Sequence, residues 1–246
     1  MLAFRVPVFR GIRATPKEPA AMADTAARRS PLAHTADRFA AVTRSSRGAL
    51  RLAELPFLAQ VTVRLDPKSP AAEAAGLALG VPLPLVPNTV NRGGELAVLW
   101  LGPDEWLVVG PAATTGLAER LRTAIGDEHV TIADEHAAVV DEHTAVVDEH
   151  TAVVDVSAQR TTLLVAGPRS RDLLAHGCPI DLHPRAFGIG RCAQTTLARA
   201  HVVLVARDDL RPGFWVLVRS SFAGYLADWL LDAATEHVGQ PALQVS

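Results

Sequence analysis

Leu96-Ala97-Val98-Leu99-Trp100-Leu101-Gly102-Pro103-Asp104-Glu105-Trp106-Leu107-Val108-Val109 decides the fold class. Two apolar runs of strand length flank Gly102-Pro103-Asp104, a turn sequence, so the stretch predicts a β-hairpin. Just downstream, Leu117, Leu121 and Ile125 recur every four residues up to Gly126. That spacing gives one apolar helix face, and the glycine gives its end. Strand, turn, strand, helix is the signature of an α+β chain, with helices covering one face of a sheet.

The same order returns further along. Residues 153–166 hold two apolar strand segments around Ser157-Ala158-Gln159-Arg160. Gly167-Pro168 opens a helix, with proline suited to the first turn, and Gly177 closes it. Residues 193–199, 201–206 and 214–219 read as strands. Ser220-Ser221 can cap a last helix. Its stripe is Phe222, Tyr225, Leu226, Trp229, Leu230 and Ala233, at helical spacing. A shift of 109 positions brings Trp106 onto Trp215, Leu117 onto Leu226 and Leu121 onto Leu230. The expectation is therefore two similar sheet-plus-helix units, residues 36–126 and 153–240. Within the first, residues 36–60 read as helix and then extended chain. The prolines of residues 66–90 break that stretch into turns and irregular chain.

Two segments fall outside this pattern. Residues 1–35 carry six basic side chains against two acidic ones, with no apolar periodicity, and read as a disordered basic tail. Met22 inside it offers an alternative start. Residues 127–152 read as an acidic heptad-repeat insertion, with His129, His136, His143 and His150 each following Asp-Glu. On a helix, equivalent histidines lie two turns or about 10 Å apart, too far to share one ion directly. On a strand an odd period alternates their faces. A solvated, tandemly expanded surface segment is the expected reading. Val and Thr favour strand, whereas Ala, Glu and the period permit helix, so its conformation stays open.

Composition narrows function. The chain has 246 residues, 24 basic and 26 acidic, with net charge −2 and 49% hydrophobic residues. Balanced charge argues against a nucleic-acid partner. No apolar run approaches the roughly 18–20 residues of a membrane span, and no secretory apolar region is present, so the expected location is cytoplasmic. Two cysteines make no disulfide framework.

The motifs of catalysis are missing. There is no phosphate loop, no GxGxxG fingerprint, no HExxH and no GxSxG. Gly188-Ile189-Gly190-Arg191 reads as a turn. Asp104 and Glu105, being neighbours, point to opposite faces of a strand. Lys68, the one lysine beyond the tail, lies in a loop and is a poor Schiff-base candidate. Cys178, flanked by His176 and His183, and Cys192 read as inert buried thiols, not nucleophiles. Arg160, Arg169, Arg171, Arg185 and Arg191 suit an anion or a partner carboxylate, with surface solvation the more ordinary reading.

The chain also resembles a known family. Residues 99–107 (LWLGPDEWL), 155–161 (DVSAQRT), 167–174 (GPRSRDLL) and 176–184 (HGCPIDLHP) resemble the gamma subunit of heterotetrameric sarcosine oxidase. So do Phe187, Gly190, residues 192–195 (CAQT) and residues 219–223 (RSSFA). The resemblance spans about residues 48–126 and 153–236. It implies a shortened aminomethyltransferase-like fold, related to the glycine-cleavage T-protein, in a bacterial cytoplasmic complex with alpha, beta and delta chains. It further implies oxidative demethylation of sarcosine to glycine, with the methyl carbon passing to tetrahydrofolate. FAD, FMN, NAD, zinc and tetrahydrofolate are implied in the partner subunits. This chain is expected to hold no cofactor or metal and no catalytic residue. The basic tail and the heptad insertion have no counterpart in that pattern.

A subunit of this kind needs a docking face, and an obligate interface buries roughly 2,000 Å² or more. Aromatic anchors dominate such interfaces, so exposed members of Trp100, Trp106, Phe187, Phe214 and Trp215 are the candidate contacts. The rival reading is a stand-alone folate-binding or folate-dependent one-carbon transfer protein, with Asp155 or Asp181 as the carboxylate for the pterin. A metal-sequestering module built on the repeats is a third.

Overall fold

The computed structural model describes residues 28–126, 151–207 and 213–238. Residues 1–27 of the basic tail and residues 127–150 of the repeat lie outside the described residues. In chain order the elements are α1 (Ala36–Ser45), β1 (Arg51–Leu55), β2 (Ala59–Arg64), α2 (Pro70–Leu79), β3 (Val90–Gly93), β4 (Leu96–Gly102), β5 (Glu105–Gly110) and α3 (Leu117–Ile125). There follow β6 (Ala152–Asp155), β7 (Arg160–Ala166), α4 (Ser170–Ala175), β8 (Cys192–Leu197), β9 (Ala200–Arg207), β10 (Gly213–Arg219) and α5 (Ser220–Ala233).

The strands form two five-stranded sheets, in the orders β3-β4-β5-β2-β6 and β8-β9-β10-β7-β1. Every described pairing between named strands is antiparallel. The two orders match strand for strand, so the duplication read from Trp106 and Trp215 is a property of the fold. The hairpin of residues 96–109 is β4–β5, with Trp100 opposite Trp106.

One expectation needs correction. The units are not the contiguous blocks 36–126 and 153–240, because each sheet takes its edge strand from the other half of the chain. β1 pairs with β7, Leu52 opposite Val165. β6 pairs with β2, Val153 opposite Val63. Only three residues separate β1 from β2, and they do not close a hairpin. Pro56 offers no N–H, and Phe57 has a left-handed φ of 61°. The chain therefore leaves one sheet at Leu55 and enters the other at Ala59. Residues 156–159 make the matching crossover. There the Ser157 Oγ accepts from the Gln60 N–H at 2.9 Å, and the Val156 N–H donates to the Gln60 carbonyl at 2.8 Å.

Strand alternation then builds three apolar layers. Val61, Val63, Val98, Trp106 and Val108 point to α2 and α3. Leu163, Val165, Val202, Leu204, Phe214, Val216 and Val218 share a cluster with α1, α4 and α5 side chains. The opposite faces, with Leu99, Leu101, Leu107, Val109, Cys192, Val203, Val205 and Leu217, pack on each other. Helices lie outside and the two sheets meet in the middle.

Four further readings are corrected. Residues 66–90 are not wholly irregular, since they contain α2 and the start of β3. The basic tail does not extend to residue 35: Leu32 and Thr35 are buried, and Leu32 belongs to the core under α1. Ser220 does not cap α5; its hydroxyl bonds the Gln159 carbonyl at 3.2 Å and ties the helix to the crossover. The buried face of α5 is Ala223, Leu226, Ala227, Leu230 and Leu231, which leaves Phe222 and Tyr225 exposed.

Candidate interaction surface

α2 starts and stops on clear signals. Ser69 is extended at the N-cap, with φ −76° and ψ 156°, and Pro70 occupies the first turn. Gly80 ends the helix at φ 68°, where the Val81 N–H reaches back to the Gly76 carbonyl at 3.1 Å. Between these ends, Glu73 is the single charged residue. Ala71, Ala75 and Leu79 face the core, while Leu77 on the other side is 77% exposed. Apart from Glu73, which shares the outer side with Leu77, the helix carries only apolar residues, and a largely apolar helix suits a buried setting. This one is covered on one face only.

The chain after α2 extends that apolar face. Val81 and Leu83 turn inward; Leu85 is 66% exposed and Val86 is 61% exposed. A groove of about 630 Å³ runs between helix and segment, lined by Ala72, Leu77, Pro82, Leu83 and Leu85 among others. The segment is held firmly. The Trp106 indole N–H donates to the Pro84 carbonyl at 2.8 Å, and the Asn91 amide donates to the Pro82 carbonyl at 2.9 Å. Pro82, Pro84 and Pro87 restrict its backbone further.

The turn ahead of β8 contributes Ile189, 67% exposed. The Val90 N–H bonds the Gly190 carbonyl and the Cys192 N–H bonds the Asn88 carbonyl, both at 2.9 Å. These bonds lay residues 188–192 alongside residues 88–90. Leu77, Leu85 and Val86 mark an exposed apolar stretch on α2 and the segment after it, and Ile189 is a further exposed apolar side chain in the loop that runs beside residues 88–90.

The five aromatic candidates divide. Trp106 and Phe214 are fully buried and Phe187 nearly so, which removes them as direct contacts. Trp106 instead supports the proline segment from beneath. Phe187 stacks on Phe214 with centroids 6.4 Å apart, and the Arg171 guanidinium lies 4.9 Å from the Phe214 centroid. Trp100 and Trp215 keep partial exposure; Arg207 covers the Trp215 ring at 3.7 Å. The residues overlooked by the sequence reading are Leu77, Leu85, Val86 and Ile189. Ser69-Pro70, an alanine-rich run and Gly80 were the signal for α2, hidden among the prolines around it.

The remaining candidates are engaged in structure. Burial pushes the Cys192 thiol up to about 11, and burial also raises that of Cys178. The His183 ring nitrogen accepts from the Arg185 N–H at 3.2 Å, and His176 lies 3.6 Å from Glu236. Asp155 accepts from the Ser157 N–H at 2.9 Å and Asp181 from the His183 N–H at 2.8 Å, so both carboxylates close local turns. Glu105 lies 3.5 Å from Arg64. Arg169 reaches Asp172 at 2.9 Å, and Arg171 donates to the Phe187 carbonyl at 3.1 Å and to that of Leu182. Among the described residues no three His, Cys, Asp or Glu side chains are grouped to hold a metal ion, and no helix is long and apolar enough to cross a membrane.

Comparison with known proteins places this arrangement. Residues 64–236 match the family described as "Sarcosine oxidase, gamma subunit family". The chain is 38% identical over 213 residues to the sarcosine oxidase subunit gamma of Arthrobacter sp, covering 86% of this chain and 92% of the relative. It superposes with a TM-score of 0.71 and 32% identity on a chain of the heterotetrameric sarcosine oxidase from Corynebacterium sp. U-96 in complex with pyrrole 2-carboxylate, covering 88% of this chain and 99% of that one. It shares its fold with the glycine cleavage system aminomethyltransferase T of Bartonella henselae, at a TM-score of 0.50 and 16% identity over 77% of this chain and 48% of that chain.

Proposed function

The chain belongs to the sarcosine oxidase gamma subunit family, and from that premise we propose that it is a non-catalytic structural subunit of a heterotetrameric sarcosine oxidase. It docks on the alpha chain through the flank of α2 and residues 81–87. The beta and delta chains complete the cytoplasmic assembly. The observation that carries this reading is α2 itself. An apolar helix with Leu77 in solvent, beside outward Leu85 and Val86, needs a protein cover. Prolines and the Trp106–Pro84 bond hold the face in place before binding, which lowers the ordering cost of association. The partly exposed Trp100 and Trp215 are further contacts in this reading.

In the assembly, two electrons pass from the N-methyl group of sarcosine to O2, giving glycine and peroxide. The methyl carbon passes to tetrahydrofolate, or water releases it as formaldehyde. FAD, FMN, NAD, zinc and tetrahydrofolate belong to the partner chains. Gly188 and Gly190 sit in a turn ahead of β8, not between a strand and a helix, so this pair of glycines makes no dinucleotide fingerprint.

Co-expression of the tagged full chain with the three partners tests the proposal. The wild-type chain should co-purify with all three and with flavin absorbance. Leu77→Glu combined with Leu85→Glu should abolish co-purification while helix content and melting temperature stay unchanged. Undiminished assembly of the double variant would contradict this docking face. Saturable micromolar binding of reduced folate by the chain alone would favour the rival reading.

A further inference from the structure

A row of basic side chains closes one end of the second sheet, away from α2. Arg160 on β7 and Arg219 on β10 are direct cross-strand partners. His201 on β9 lies opposite Thr196 on β8. Alternation puts Arg219 on the face of Leu217 and His201 on the face of Val203, the face that meets the other sheet. Arg160, Arg219, His201, Gln194 and Thr196 line one cavity of about 370 Å³. Its mouth is open at Arg219 and His201, and Arg160 is more deeply set.

Like charges placed directly opposite each other on a sheet repel, and a pair in register needs a compensating group. Glu105 is the carboxylate that Arg160 feels, and it also lies 3.5 Å from Arg64, so its charge is shared. One Arg160 nitrogen, Nη1, is buried with no hydrogen-bond partner. Buried guanidinium N–H groups rarely go unsatisfied. Burial, and then the charge of Arg219, lower the pKa of Arg160, as expected where positive charge lacks its complement.

We propose that this cavity binds an oxyanion, a carboxylate or phosphate group gripped between the guanidinium groups of Arg160 and Arg219. Planar guanidinium forks suit such groups, and Thr196 and His201 offer further polar groups, while the Gln194 amide already donates one N–H to the Leu101 carbonyl at 2.8 Å. The volume admits a small anion or the end of one acidic side chain. The proposal rests on the cavity alone and is independent of the α2 docking face.

Calorimetric titration of the full chain with sodium phosphate and with sodium malonate tests it, against sodium chloride at equal ionic strength. Saturable binding is expected for at least one oxyanion. Arg160→Gln should weaken it at least tenfold, and so should Arg219→Gln, an exposed position that leaves the core untouched. Arg199→Gln, an exposed arginine outside the cavity, should leave it unchanged. Absence of saturable binding, or equal affinity in the Arg219→Gln chain, would overturn the proposal. A second titration on the assembled complex identifies the source of the natural group. Binding to the chain alone but not to the complex assigns the cavity to a partner's carboxylate; binding to both assigns it to a free small anion.

Discussion

At the scale of single residues, burial sets the chemistry. His237 is nearly buried, and neither ring nitrogen has a partner. Desolvation lowers its pKa from the usual 6.5, helped by His176 at 5.9 Å between ring centroids and by Arg169, and opposed by Asp172 and Glu236. The unfolded chain then binds more protons than the folded one below pH 6.5. This contribution to stability is complete above that pH and is lost as pH falls through the lowered folded value. His237→Phe should therefore lessen the decline of melting temperature on acidification below pH 6.5, relative to wild type. An unchanged slope would contradict the assignment. Cys192 makes a second case. With its thiol near 11, iodoacetamide should label it at pH 8 far more slowly than a free thiol. Labelling at the free-thiol rate would show that the sheet interface opens readily. The burial of this cysteine was legible in the sequence, because a free cysteine is among the residues most often buried. The positions of Trp106, Phe187 and Phe214 were not. An aromatic residue looks alike in a core and at an interface until its neighbours are known.

At the scale of elements, the strands and helices with clean periodicity were readable. The β4–β5 hairpin, α3 and the strands of residues 193–219 all occupy their expected stretches. α2 was not readable, because the prolines on both sides mask a short alanine-rich helix whose weak amphipathicity gives no periodic stripe. Gly80 terminates α2 in a left-handed conformation at φ 68°. Gly80→Ala should cost about 1 kcal/mol of stability in chemical denaturation. A neutral result would show that the turn into residues 81–87 relaxes, and with it the groove. On α5, Leu230 is buried against the second sheet. Leu230→Ala should cost about 2–5 kcal/mol, whereas Phe222→Ala on the exposed side should cost well under 1 kcal/mol. The sequence stripe had the right helix and most of its face: Leu226 and Leu230 are buried and Trp229 and Ala233 pack against the core, whereas Phe222 and Tyr225 are exposed. Apolar residues at neighbouring positions around a helix do not reveal which of them meets the sheet.

At the scale of the whole molecule, the two halves hold each other. Each sheet ends on a strand donated by the other half, β1 or β6. Duplication was visible as the shift of 109 between Trp106 and Trp215, but strand exchange was not. Exchange is decided by the crossovers at residues 56–58 and 156–159, and neither carries a pattern that distinguishes it from an ordinary turn. Co-expressed fragments 28–126 and 151–238 should therefore associate as a complex of native size, and neither should fold without the other. A soluble, cooperatively melting fragment 151–238 on its own would contradict the exchanged arrangement. The exposed Leu85 and Ile189 lie in the loops that lead into β3 of one sheet and β8 of the other.

The central claim is that this chain works as a subunit whose α2 flank is covered by a partner. Amide hydrogen exchange of the full chain, alone and in the assembled oxidase, tests it most directly. The account predicts added protection on assembly over residues 70–87 and 188–191, with α5 unchanged. Protection gathered on α5 around Phe222 and Tyr225, with residues 70–87 exchanging as in the free chain, would contradict it.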